Sequence, residues 1–171
     1  MRRIFIALPI FFLIYIVQEA VVNQFRLPGG GFSIFLIFTV VWAILSPPEI
    51  AAFIGFIAGL MMDLSASSNG PIGQWTLLMI ATCYAVAYFG AGNASVMENP
   101  LGFTLFVGSA LFFTELAYVL TGALLGVASG GFGQVILTTI GISIWNLAIT
   151  PIVLPVFTHL HSLIFDSRSA I

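Results

Sequence analysis

The chain has 171 residues, of which 60% are hydrophobic and only 6% are charged, and its formal net charge is −2. A water-soluble domain carries roughly 25% charged residues on its surface, so most of the exterior of this chain must face lipid. Four basic residues are too few for a protein that binds nucleic acid or an anionic surface through positive charge. The length allows a single transmembrane domain over residues 1–171, without a separate soluble domain.

Apolar runs follow one another along the chain and are separated by short segments rich in Gly, Pro, Ser and Asn. A helix needs about 20 apolar residues to cross a bilayer, so the length accommodates five or six crossings. We predict an all-α integral membrane bundle of six transmembrane helices, with five as the alternative. The runs are 4–22, 32–45, 49–64, 72–89, 101–128 and 132–160. The second run is short for a full crossing, and Pro151 and Pro155 predict a bend or a break in the last.

The first run begins with Met1-Arg2-Arg3 and resembles the start of a signal peptide, but no small-x-small cleavage site follows it. We therefore expect an uncleaved first helix. Six crossings place both termini on one side of the membrane. The arginines near the two termini agree with a cytoplasmic location under the positive-inside rule, and Arg26 alone opposes it. The loops near residues 24–31, 65–71 and 128–133 are then expected outside.

The third run carries Gly55, Gly59 and Asp63 at intervals of four residues, which places them on one stripe of a helix. Small residues on such a stripe allow a neighbouring helix to pack closely. Asp63 ends the stripe at the expected outer surface. Its carboxylate either accepts hydrogen bonds from amides of the loop at residues 65–70 or pairs with a cation of a partner, and the sequence favours the loop.

Glu115 lies near the middle of the fifth run, where an isolated carboxylate is expected to be protonated or strongly paired. Helical spacing places small residues on its face, including Gly122 and Gly126, so we predict helix packing there. The last run has a polar stripe that includes Asn146 at a similar depth. We predict an internal polar contact between Glu115 and Asn146, which serves either as structural support or as part of a proton relay or ligand site.

The sequence offers no set of residues for catalysis or metal binding. His159 and His161 are two residues apart, and a helix at this spacing directs their side chains to opposite sides, which argues against a shared metal ion. No Ser-His-Asp set or carboxylate pair lies at a common depth. The single cysteine, Cys83, is expected to pack as a small apolar residue. We therefore expect no catalytic residue, no metal and no cofactor.

Residues 55–64, which read Gly-Phe-Ile-Ala-Gly-Leu-Met-Met-Asp-Leu, are followed by a Ser-rich loop and by Pro71-Ile72-Gly73. This pattern resembles the rod shape-determining protein MreD family, whose members carry a G-x-x-x-G-x-x-x-D-L signature before a short loop and P-L-G or a variant of it. The small size and the last run, with Asn146 and Pro151, agree with this family. The chain departs from it at residues 29–32, which read Gly-Gly-Gly-Phe where members often have Arg-Pro-Asp or Arg-Pro-Asn.

The resemblance implies a non-enzymatic component of the cell-elongation machinery in the bacterial inner membrane, which supports peptidoglycan synthesis and rod shape. It implies association with the bitopic protein MreC and, through it, with the MreB filament, the RodA glycosyltransferase and a penicillin-binding transpeptidase. It also implies a six-helix fold similar to the substrate-binding subunits of energy-coupling-factor vitamin transporters. By this analogy, Gly55, Gly59, Asp63 and Gly73 would form the packed helix and outer loop that hold the partner.

Two other functions remain open from the sequence. A transporter subunit would bind a small, vitamin-like ligand between its helices, and its site would need polar and aromatic groups at one depth. The aromatic candidates Trp75, Tyr84, Tyr88 and Trp145 are spread over several depths of the predicted helices. An intramembrane enzyme using Glu115 or Asp63 would lack a second catalytic group. Co-purification of a single-span partner, or of a small molecule, separates the first two functions.

Overall fold

The computed structural model describes residues 2–165, apart from 26, 66, 67, 69, 93–98 and 128–130. The described residues form six α-helices and one short 3₁₀ helix, with no strand among them. The α-helices are α1 (Arg2–Ala20), α2 (Ile34–Ile44), α3 (Pro48–Asp63), α4 (Gln74–Ala91), α5 (Pro100–Leu124) and α6 (Phe132–Phe165), and the 3₁₀ helix η1 is Val22–Gln24.

Four helical segments are long and apolar enough to cross a membrane: Ala7–Gln24, Gln74–Ala91, Pro100–Leu124 and Gly133–Ile164. The chain is thus all-helical, as expected for a protein embedded in a membrane. The other two helices are short, since at 1.5 Å per residue α2 spans about 17 Å and α3 about 24 Å. The hydrocarbon core of a bilayer is about 30 Å thick. Six helices are present as predicted, while the prediction of six full crossings is supported for four of them.

Helix α2 forms the centre of the bundle. Every residue from Phe35 to Ile44 is buried, and α2 contacts all five other α-helices. A helix that is apolar on all faces must be kept from water by other helices or by lipid, and the sequence of α2 contains one polar residue, Thr39. Helix α2 is too short to cross a bilayer, but the surrounding helices cover all of its faces.

The helices alternate in direction, so the carboxyl ends of α1, α3 and α5 lie at one end of the bundle, which we call the cavity end. A hydrogen bond of 2.8 Å from Ser65 Oγ to Glu19 Oε1 joins the segment after α3 to the last turn of α1. At the opposite end, the rings of Trp42 on α2 and His161 on α6 pack with centroids 5.1 Å apart. The start of α1 and the end of α6 belong to this opposite end.

Helix α6 is continuous over 34 residues and contains Pro151 and Pro155 in its interior. The helix is therefore not broken at these prolines, and the other predicted outcome, a bend, stays a prediction. A proline removes one backbone donor from a helix, and in an apolar solvent the freed carbonyl has no water to recruit, so a continuous helix remains the best arrangement. The segment at Gly29 packs against the middle of α6, because a Cβ built on Gly29 would lie 3.0 Å from the Cα of Gly141.

Candidate functional site

Asp63 joins the end of α3 to the start of α4. Its Oδ1 accepts a hydrogen bond from the Trp75 amide at 3.0 Å. Its Oδ2 accepts bonds from the amides of Gly73 at 2.9 Å and Thr76 at 3.0 Å, and from Thr76 Oγ1 at 2.5 Å. A carboxylate at this position satisfies free amides of the first helical turn and interacts favourably with the helix dipole. The described donors come from α4 and its N-cap, while residues 66, 67 and 69 of the predicted loop lie outside the described residues, so donors from that loop stay a prediction.

Gly73 is the N-cap of α4 and has a φ of +98°. Side chains rarely adopt this left-handed backbone conformation, so a glycine here allows the chain to turn and present three amides to a single carboxylate. Space is not the constraint, since no atom lies within 4 Å of a Cβ built at this position. The two residues of the predicted outer loop site, Asp63 and Gly73, are therefore in direct contact.

Gly55 and Gly59 place the backbone of α3 directly against that of α4. A Cβ on Gly59 would lie 2.5 Å from the Cα of Thr76, and a Cβ on Gly55 would overlap the carbonyl of Met79. Backbone atoms cannot move aside as a flexible side chain can, so these two positions require glycine for the observed packing. Together with the Asp63 cap, they make α3 and α4 a closely packed pair, which we call the α3–α4 hairpin.

Gly122 and Gly126 have different roles from the predicted helix packing. A Cβ on Gly122 would lie 3.4 Å from Gln74 Nε2, an ordinary contact distance, and a Cβ on Gly126 would meet nothing within 4 Å. Gly126 follows the end of α5 with a φ of +79°. The amide of Val127 donates to the carbonyl of Gly122 at 2.9 Å, and the amide of Gly126 donates to the carbonyl of Ala123. These two bonds form the Schellman pattern that ends a helix.

The predicted contact between Glu115 and Asn146 is not formed. Asn146 is fully buried, and its Oδ1 accepts a hydrogen bond from the amide of Ser33, the N-cap of α2, at 2.8 Å. Helix α2 begins beside Asn146, and the amide of its N-cap occupies the side-chain oxygen of Asn146. Asn146 therefore stabilises the start of the central helix.

Glu115 instead borders two cavities at the cavity end. The central cavity, of about 320 Å³, is lined by residues from all six α-helices and from the connecting segments, including Glu19, Phe35, Trp75, Glu115, Tyr118 and Ile142. The side cavity, of about 530 Å³, lies between α5 and α6 and includes Gln74, Glu115, Tyr118, Thr139 and Ile142. Glu115, Tyr118 and Ile142 belong to both walls, so the two cavities meet at these residues.

Gln74, Thr121 and Asn23 of this region were missed by sequence reasoning, whereas Trp75 was among its aromatic candidates without its stacking partner. Gln74 Nε2 donates to the carbonyl of Tyr118 at 2.7 Å and to Thr121 Oγ1 at 2.8 Å, which ties α4 to α5. The rings of Trp75 and Tyr118 stack with centroids 4.2 Å apart. Gln18 donates to Asn23 Oδ1 at 2.7 Å. Gln and Asn side chains near the ends of apolar runs are a weak signal of such a site, because residues at the membrane surface show the same pattern.

The other sequence candidates lie apart from the cavities. Tyr84 and Tyr88 stack on each other on the exposed side of α4, and Trp145 Nε1 donates to the carbonyl of Pro28 at 3.0 Å. Among the residues that the structure describes, no group of three or more His, Cys, Asp or Glu side chains is placed to hold a metal ion. Arg26, Glu98, Asp166 and Arg168 lie outside the described residues.

Comparison with protein-family models, with curated proteins and with solved structures gives no match for this chain. The likeness to the MreD family therefore depends on the pattern of residues 55–73 and on the general properties of the chain. The similarity of this fold to that of the substrate-binding subunits of energy-coupling-factor transporters likewise stays a prediction.

Proposed function

We propose that the chain is a non-enzymatic scaffold of the bacterial cell-elongation complex in the inner membrane, where it docks MreC and supports peptidoglycan synthesis and rod shape. In this proposal the chain is a multi-pass bundle with both termini in the cytoplasm. MreB, RodA and a penicillin-binding transpeptidase join through the wider complex. The observation that carries the proposal is the α3–α4 hairpin, because the residues that resemble the MreD signature fold into one closely packed unit.

The carboxylate of Asp63 is buried and bonded to four donors within the chain, so it supports the docking surface without being the contact itself. The hairpin presents apolar side chains at its tip, where Leu64 is 69% exposed and Ile72 is 81% exposed. Ile72 also borders a mainly apolar groove of about 500 Å³ between α4 and α5, together with Leu77 and Leu124. An apolar groove at the end of a membrane bundle suits the transmembrane helix of a single-span partner.

Co-purification tests this docking surface. Tagged protein is co-expressed with MreC and extracted in mild detergent, and we expect MreC to be recovered in stoichiometric amount. Replacing both Ile72 and Leu77 by Ala removes apolar contacts worth roughly 1–2 kcal/mol, so MreC recovery should fall about tenfold. Leu137→Ala is the matched control, because Leu137 is an exposed leucine on α6 away from the groove.

Two outcomes would contradict the scaffold function. One is wild-type protein that recovers no MreC under conditions in which both proteins are folded in the membrane. The other is equal MreC recovery for the groove variant and for Leu137→Ala.

The alternative is a small-molecule binding subunit of a membrane transporter. It is favoured by one observation, the meeting of two cavities at Glu115 and Tyr118 inside the bundle. Mass spectrometry of the same detergent preparation separates the two functions. A vitamin-like molecule retained in stoichiometric amount, without a protein partner, would support the transporter.

A further inference from the structure

Glu115 is a buried acidic side chain without a partner in the described part of the chain. It is only 9% exposed, no hydrogen bond or ion pair involves it, and it lines both the central and the side cavity. A buried carboxyl group that makes no hydrogen bond is costly, and native proteins satisfy nearly all such groups. The position of Glu115 between two cavities indicates that its missing partner comes from outside the chain.

The walls offer a second acceptor that lacks a donor. Gln74 Oε1 is buried and has no partner. The orientation of this amide is fixed, because its Nε2 donates to the carbonyl of Tyr118, an atom that only accepts. Gln74 and Glu115 both line the side cavity, but Gln74 Oε1 is enclosed against Gly70, so Glu115 is the acceptor that a molecule with hydrogen-bond donors would reach.

The charges of the walls favour a cation. The central cavity has two carboxyl groups, those of Glu115 and Glu19, and none of its described lining residues is Lys, Arg or His. The same holds for the described lining of the side cavity, where Glu115 is the acidic residue. A positively charged ligand would compensate the negative charge of the Glu115 carboxylate, which has little access to water.

Aromatic rings line the central cavity beside this carboxyl group. They are those of Phe32, Phe35, Trp75 and Tyr118, and the last two stack on each other at 4.2 Å. Organic ammonium ions bind to the faces of such rings as well as to carboxylates. A volume of about 320 Å³ also lies within the usual range of small-molecule sites, about 300–1,000 Å³.

We propose that the central and side cavities form a binding site for a small organic ammonium ion, with the carboxylate of Glu115 as the ammonium acceptor and the aromatic rings as its apolar wall. The substitutions that test the docking groove leave this site intact, because Ile72 and Leu77 line neither cavity, although Gln74 borders both the groove and the side cavity. The ammonium group is either part of a free amine or the headgroup of a phosphatidylethanolamine lipid.

Isothermal titration of the full chain in nanodiscs of phosphatidylglycerol tests this site. The probe is phenethylamine, and phenethyl alcohol is its matched neutral control. We expect saturable binding of one phenethylamine per chain and at least tenfold weaker binding of the alcohol. Glu115→Gln keeps the size of the side chain and removes its charge, so it should weaken amine binding at least tenfold. Glu49→Gln changes an exposed carboxylate at the opposite end and should leave binding unchanged.

A second titration distinguishes the two sources of the ammonium group. Nanodiscs that also contain phosphatidylethanolamine should bind phenethylamine more weakly if the lipid headgroup occupies the site, and equally well if the natural ligand is a free amine. The proposal is overturned if phenethylamine and phenethyl alcohol bind equally or not at all. It is also overturned if Glu115→Gln binds the amine as the wild type does. The comparison with the alcohol tests the need for a positive charge on the unsubstituted protein, so it does not depend on the folding of the variant.

Discussion

Among single residues, Asp63 makes the most hydrogen bonds between elements, since its two oxygens hold four donors of Gly73, Trp75 and Thr76. A stripe of two glycines and an aspartate could be read from the sequence because helical spacing is fixed. The identity of the donors could not be read, because it depends on where α4 begins. The sequence indicated a loop over residues 65–71, and the structure shows amides of Gly73, Trp75 and Thr76, at the start of α4, as donors to the carboxylate.

We predict that Asp63→Asn destabilises the protein. One amide oxygen replaces two carboxylate oxygens, so part of the donor set of α4 loses its acceptor and the favourable charge at the helix N-terminus is removed. The expected loss is about 1.5–3 kcal/mol in the free energy of unfolding. Unfolding in detergent, followed by circular dichroism, measures this loss. Glu49→Gln, at the exposed start of α3, is the control, and equal stabilities for both variants would contradict the role of Asp63.

Gly59 and Gly122 provide a matched pair, since both are helical glycines that the sequence assigned to helix packing. Gly59→Ala should cost about 1–3 kcal/mol, because the new Cβ would press on the backbone of Thr76 and force α3 from α4. Gly122→Ala should be neutral or stabilise by up to about 1 kcal/mol, because a methyl group fits and alanine favours the helix. The two melting temperatures measure the difference, and a larger loss for Gly122→Ala would contradict the observed packing.

Among the elements, α2 shows most clearly that the sequence predicts where a helix begins and ends but not its depth in the bundle. Its run at 32–45 was recognisable as apolar, and the observed helix Ile34–Ile44 agrees within two residues at the start and one at the end. Hydropathy and the flanking Gly and Pro residues give such boundaries, but they do not give the depth of a helix. The start of α2 lies beside Asn146 on α6. The amide of Ser33 therefore donates to Asn146 Oδ1, although the sequence predicted Glu115 as the partner of Asn146.

The role of Asn146 at this helix start gives a further prediction. Asn146→Leu keeps a side chain of similar size but leaves the amide of Ser33 without its acceptor, at a cost of about 1–3 kcal/mol. Ser143→Ala is the control, because the Ser143 hydroxyl bonds only a carbonyl of its own helix, that of Thr139. Thermal unfolding of both variants in the same detergent checks the prediction. An unchanged melting temperature for Asn146→Leu would show that the start of α2 does not need this residue.

At the scale of the whole molecule, the all-helical membrane class follows from composition alone, because so few charged residues leave lipid as the surrounding solvent. The cavities could not be predicted in the same way. The wall of the central cavity combines residues from Gln18 to Ile142 and uses all six α-helices, so it exists only once the bundle is assembled. The sequence showed Glu115 as an unusual charge in an apolar helix, but not the empty space beside it.

Site-specific photo-crosslinking in living cells tests the central claim, that the α3–α4 hairpin docks a single-span partner. A photoreactive phenylalanine analogue is introduced at Ile72, at the exposed tip of the hairpin, and in a separate strain at Leu137 on α6. The account predicts a crosslink to MreC from position 72 and none from position 137. Crosslinking from position 137 but not from position 72, or from neither, would contradict it.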